Sequence, residues 1–349
     1  MELTLTRPDD FHVHLRDGAF LATTVPATAT TFARAIVMPN LNPPLCHAQQ
    51  VVAYKKRIQA HCPEGIVFEP LMTLYLTDRT TPACIQAARH SGCIYGAKLY
   101  PANVTTHSAA GVTALQNIYP VLEQMIECNL PLLVHGEVSD PDIDIFDREQ
   151  VFIEQQLLPL CQRYPELKVV LEHITTTDAV DFVRTAGDQV GATITPQHLL
   201  YNRNDLLAGG IRPHYYCLPI LKRDRHRQAL VAAATGDDPS FFLGTDSAPH
   251  LQGMKESACG CAGCFSAPYA LQLYAELFNS VGRLQRLEAF ASHNGADFYG
   301  FARNHQKITL SQRPVTVPEY IRVGEERVIP LRAGESLLWS VRPSTRSTQ

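Results

Sequence analysis

Asp10-Phe11-His12-Val13-His14-Leu15-Arg16-Asp17 reads as an extended segment carrying two histidines two positions apart. Side chains at that spacing share one face of a strand, so both imidazoles can grip a single cation. Further candidate ligands stand at the ends of later apolar runs: Lys98, His135, His173 and Asp246. That recurrence makes a chemical motif into a statement about the fold.

Eight runs rich in β-branched or bulky apolar residues predict strands, at 11–15, 34–39, 69–76, 95–100, 130–134, 168–173, 191–197 and 241–245. Helical segments lie between most of them. In 118–128, for example, Ile118, Val121, Leu122, Met125 and Ile126 recur at helical spacing, with Pro120 suited to a first turn. Continuously apolar strands are buried on both faces, which favours a parallel sheet. Eight strand–helix units predict an α/β fold of the closed (β/α)8 TIM-barrel kind. Such barrels build active sites at the C-terminal ends of their strands, where Lys98, His135, His173 and Asp246 fall. The whole chain, 1–349, reads as a single domain with a barrel core at about 10–300. Alternation at 2–7 and short runs at 315–341 separated by Gly324 and Gly334 predict accessory β segments from the two ends, 1–9 and 310–342. Residues 344–349 read as a frayed polar tail.

A net charge of -4 gives no basic surface for nucleic acid or an anionic membrane, and no apolar stretch is long enough to span a bilayer. The start lacks a basic segment followed by an apolar one, so a soluble, cytoplasmic chain is expected. Most of the ten cysteines are scattered singly through apolar segments and read as buried free thiols. Cys259, Cys261 and Cys264 are close enough to form a zinc clip with Cys217, although a tight glycine-turned loop approaching a ligand is the preferred reading.

Four imidazoles and an aspartate suit zinc first, with manganese, cobalt and iron left open. His47, His61, His90, His226 and His305 lie in polar or helical contexts and are read as non-functional. Lys98 has two readings. It is either a salt-bridging lysine or a desolvated amine that adds carbon dioxide to become a carbamate able to bridge two cations. With the carbamate, Asp246 and a hydroxide set against two divalent ions, the site stays mildly positive and suits an anionic substrate. Arg16 follows His14 by two residues, so it shares that face if extension continues, and its guanidinium can hold a carboxylate. Asn40 reads equally as a turn residue or a ligand-binding one, and His250 as an exposed loop residue or a donor to an anion. The polar, unpatterned stretch 101–111 suits a mobile lid at the barrel mouth.

These residues resemble the amidohydrolase superfamily, whose barrels carry His-x-His, a carboxylated lysine, two histidines and an aspartate in that chain order. Along nearly the whole chain the resemblance is to its class II dihydroorotase branch. It rests on blocks such as His12-Val13-His14-Leu15-Arg16-Asp17-Gly18, Ala97-Lys98-Leu99-Tyr100-Pro101-Ala102-Asn103, Glu172-His173-Ile174-Thr175-Thr176 and Gly244-Thr245-Asp246-Ser247-Ala248-Pro249-His250. The resemblance implies two zinc ions per subunit. His12, His14 and Asp246 would hold the more buried ion, His135 and His173 the second, and N6-carboxylated Lys98 would bridge them. It further implies a substrate carboxylate held by Arg16, Asn40, His250 and the backbone of Leu218 and Ala262, under a lid using Thr105 and Thr106. The implied reaction is reversible cyclisation of N-carbamoyl-L-aspartate to L-dihydroorotate in pyrimidine synthesis, with Asp246 moving the proton, in a homodimer. Competing readings are another cyclic amide hydrolase of the hydantoinase or allantoinase kind, a mononuclear deaminase, and a catalytically silent scaffold. The last would be expected to have lost ligands, and all six are present here.

Overall fold

A computed structural model describes residues 1–342; the polar tail at 344–349 lies outside them. Eight parallel strands follow one another around a sheet in chain order: β2 (Asp9–Val13), β3 (Arg34–Val37), β4 (Glu69–Tyr75), β5 (Ile94–Leu99), β6 (Leu132–His135), β7 (Val169–Glu172), β8 (Val190–Ile194) and β9 (Phe241–Leu243). The ends meet where the Asp246 amide donates to the His12 carbonyl at 2.9 Å and the His14 amide to the Ser247 carbonyl at 3.0 Å. Buried Asp10 reinforces this seam by accepting from the Thr245 amide at 2.8 Å and the Thr245 hydroxyl at 2.7 Å. Helices lie between successive strands, and the one beginning at Tyr119 carries Pro120 in its first turn as expected.

Strand alternation sorts the side chains. Phe11, Ile36, Leu71, Leu133, Val170 and Phe242 meet inside the barrel as a floor, while Val37, Leu74, Ala97, Val134, Leu171 and Leu243 belong to the larger core shared with the helices. Each large floor residue contributes about 1.5–3 kcal/mol of burial free energy. One pleat above Leu133 and Val170 stand His135 and Glu172, so the floor supports the polar layer directly. Gly96 keeps that floor packed, since a Cβ there would stand 2.9 Å from Leu133 Cδ1.

The accessory β segments are present. β1 (Glu2–Thr6) pairs antiparallel with β10 (Lys307–Ser311), which pairs in turn with β15 (Ser340–Arg342). Two small antiparallel pairs, β11 (Val315–Thr316) with β14 (Ser336–Leu337) and β12 (Ile321–Val323) with β13 (Glu326–Val328), lie between β10 and β15 in sequence.

Candidate active site

Three buried atoms converge at the seam. His12 Nε2 and His14 Nε2 are 3.2 Å apart, and they lie 3.3 and 3.1 Å from Asp246 Oδ1. Tetrahedral ligands on a divalent ion with bonds of about 2.0–2.1 Å stand about 3.3–3.4 Å apart, so this triangle fits a metal of zinc's size. A second group, His12, Glu172 and His173, also meets within 4.8 Å. His173 Nδ1 is buried without a hydrogen-bond partner, and His12 Nδ1 lies 3.0 Å from Glu172 Oε1 without the alignment of a hydrogen bond. Buried imidazole nitrogens left this way are costly unless a ligand occupies them. The His135 ring is 4.8 Å from the His173 ring, and its Nε2 contacts Glu137 at 2.8 Å. A carboxylate on one ring nitrogen fixes the tautomer and frees the other to ligate.

The backbone is bent to make this possible. A register shift between Asp10 and Val13 marks a bulge, with Phe11 on the floor and His12 in the polar layer. Extension does not continue to Arg16, whose φ is +59°; the chain turns there rather than running on along the strand face. His173 and Asp246 both have φ of +44°, a conformation non-glycine residues seldom hold without tertiary restraint. For His173 the restraint is visible: its amide donates to Thr193 Oγ1 at 2.7 Å. Buried Glu149 also gathers the amide and hydroxyl of Thr175 and the hydroxyl of Thr176 just beyond it.

Lys98 is wholly buried and ion-paired with Glu172, with its ammonium 4.8 Å from the centre of the Tyr100 ring. Burial lowers its pKa, and Glu172 opposes that shift. Burial also lowers His14 to about 4. Burial disfavours the Asp246 anion, yet hydrogen bonds from His12 and His14 hold it well below the usual carboxylate range.

His14, Arg16, Asn40, Thr105, Thr106, His135, His173, Leu218, Asp246 and Ala262 line one cavity. Its free space is about 20 Å³, small because the 101–111 loop lies over it. The loop is tied down by Asn40 Nδ2 donating to the Thr106 carbonyl at 3.4 Å and Tyr75 Oη donating to the His107 carbonyl at 3.2 Å. Asn40 also accepts from His14 Nδ1 at 2.8 Å, so it orients that candidate ligand as well as facing the cavity. Arg16 donates to the Pro249 carbonyl at 3.1 Å and lies 2.9 Å from His250 Nε2, which is also 2.9 Å from the Ala262 carbonyl. The amides of Leu218 and Ala262 have no hydrogen-bond partner among the described residues. Beyond Arg16, Asn40 and Thr106 opens an outer chamber of about 660 Å³, lined also by His250, Leu251 and Met254.

Sequence reading missed Glu172, Glu137, Asp10 and Tyr100, of which Glu172 ends its strand and Asp10 follows a second acid at the start of its own, so neither stands out in the local pattern. The cysteine expectations need correction. Only Cys93, Cys217 and Cys264 are fully buried, and six others are half-buried. No cysteine joins a ligand cluster among the described residues, because Cys217 and Cys264 pack in an apolar core with Leu221 and Leu273 while Cys259 is exposed. Among the described residues, no helix is long and apolar enough to cross a membrane.

Residues 10–309 match the amidohydrolase family. The chain is 60% identical over 341 residues to a dihydroorotase of Cupriavidus taiwanensis, covering 98% of this chain and 99% of that one. Among solved structures it is similar to the dihydroorotase of Saccharomyces cerevisiae in complex with 5-fluoroorotic acid, at TM-score 0.91 and 35% identity over 98% of each chain. It is also similar to that of Campylobacter jejuni, at TM-score 0.90 and 36% identity over 98% of this chain and 97% of the other. The chain therefore belongs to the amidohydrolase family and, within it, to the dihydroorotases.

Proposed function

We propose that this chain interconverts N-carbamoyl-L-aspartate and L-dihydroorotate at a binuclear zinc centre, as a single-domain subunit of a cytoplasmic homodimer. The observation that carries the metal reading is the convergence of His12, His14 and Asp246 beside the unpartnered nitrogen of His173. His12, His14 and Asp246 would hold one ion, His135 and His173 the other, and Lys98, carboxylated on its amine, would bridge them. When bound, the two ions supply a nucleophile by lowering the pKa of water and polarise the ring carbonyl.

The protein's own groups do the rest. Arg16 and His250, with the free amides of Leu218 and Ala262, receive the substrate carboxylate, and Asn40 supports both His14 and the lid. Asp246 takes a proton as the ring opens and returns it to the departing ring nitrogen. Thr105 and Thr106 close over the ring and exclude water. Ring closure converts a dianion to a monoanion with uptake of one proton.

The test is metal analysis together with carbamoyl-aspartate cyclisation on purified protein. The expected result is about two zinc per chain, activity lost on chelation, and recovery with zinc plus bicarbonate. Folded, fully metallated protein that neither closes nor opens the ring would overturn the reading.

A further inference from the structure

Lys255 ends the short helix Gln252–Lys255 and is buried, although it forms no ion pair with a carboxylate among the described residues. Its ammonium donates instead to two carbonyls, Tyr216 at 2.7 Å and Gly263 at 2.8 Å. The Gly263 amide donates to the same Tyr216 carbonyl at 2.9 Å, so the three groups form a closed knot. Burying a cation without a counter-charge is expensive, and an apolar side chain of similar length would avoid that cost. Burial draws the Lys255 pKa below its ordinary value.

The knot joins the two segments that form one wall of the catalytic cavity. Tyr216 stands two residues before Leu218, and Gly263 directly follows Ala262; Leu218, Ala262 and Gly263 all line that cavity. Gly263 has φ of +147°, and a Cβ there would stand 2.4 Å from the Ala248 carbonyl oxygen, so this segment is packed directly against the loop that follows Asp246. One direct hydrogen bond, from the Gly263 amide, ties it to the Tyr216 carbonyl, and the ammonium adds a bridge between the two carbonyls.

We infer that Lys255 is a positioning residue: by holding the Tyr216 and Gly263 carbonyls together it sets the spacing of the Leu218 and Ala262 amides that receive the substrate carboxylate. The inference rests on the proposed reaction. A methionine there has no donor and a glutamine has two, held in one plane on a shorter stem, whereas an ammonium has three on a longer one and grips both carbonyls.

The experiment uses zinc-loaded, full-length Lys255→Met, Lys255→Gln and Lys255→Arg variants, assayed in both directions with metal content and thermal unfolding recorded. Lys255→Met is expected to raise KM about tenfold with kcat within about threefold and zinc content unchanged. The fall in kcat/KM is the same in both directions, as the fixed equilibrium requires. Lys255→Arg, which keeps the charge and several donors, recovers most of the loss. An unchanged KM in Lys255→Met overturns the inference, as does a fall in kcat alone or failure of Lys255→Arg to recover KM. If Lys255→Met does not fold, Lys255→Gln is judged by the same criteria. An inactive wild-type chain would instead overturn the reaction itself.

Discussion

Arg16 shows how much of this site depends on one backbone turn. Its φ of +59° takes the guanidinium off the strand face and sets it beside His250 and the Pro249 carbonyl, at the boundary between the closed cavity and the outer chamber. Burial lowers His250 to about 2, so the imidazole is neutral at working pH and adds no charge of its own. A substrate carboxylate held here, as proposed, would depend on Arg16 for its charge partner at this end. Arg16→Met is expected to raise KM at least about a hundredfold while leaving zinc content unchanged, because no proposed ligand contacts its guanidinium. Steady-state kinetics with metal analysis checks this, and a KM near wild type would remove Arg16 from the carboxylate site. Proximity to His14 suggested Arg16 from sequence alone, although the extension assumed for it stops short. Glu172 was not suggested, because an acid next to His173 reads as an ordinary strand terminus until the pleat places it above Val170.

At the scale of the element, the eight apolar runs were legible because burial on both faces writes a strand as a continuous signal, and observed boundaries differ from expectation by only a few residues. The bulge in β2 was not legible, since it is a matter of register with β3 and leaves no mark on the local pattern. The 101–111 segment was legible as a loop at the barrel mouth from its polar, unpatterned composition. Its anchors were not, because Tyr75 and Asn40 belong to other parts of the chain. Thr105 and Thr106 of this loop line the inner cavity, so the proposed lid stands directly against the place a substrate ring would occupy. Replacing Thr105 and Thr106 together with glycine is expected to lower kcat about a hundredfold, with zinc content and melting temperature near wild type. Turnover close to wild type in that variant would exclude the lid role.

For the whole molecule, a closed barrel with a polar layer inside makes stability depend on pH in a direction that can be worked out. His198 is wholly buried, with Nδ1 2.7 Å from Thr195 Oγ1 and Nε2 2.8 Å from the Pro219 carbonyl, contacts a neutral ring satisfies by accepting from the first and donating to the second. Burial lowers its pKa to about 4. The unfolded chain takes up a proton near pH 6.5 that the folded chain refuses until about pH 4, so this residue's contribution is full above pH 6.5 and is lost as pH falls through that window. The size is at most about 3 kcal/mol. Asp10 acts with the opposite sign: burial raises its carboxyl to about 7, so its contribution is present below the ordinary aspartate range and is lost as pH rises toward 7. Comparing variant with wild type at each pH cancels Asp10 and isolates the histidine. His198→Gln is expected to be less stable than wild type at pH 7.5, having lost a well-matched pair of hydrogen bonds. The gap then narrows as pH is lowered from 6.5 to 4.5 in denaturant titrations of metal-free protein. A gap that stays constant across that range would mean that His198 is protonated in the folded chain much as it is in the unfolded one.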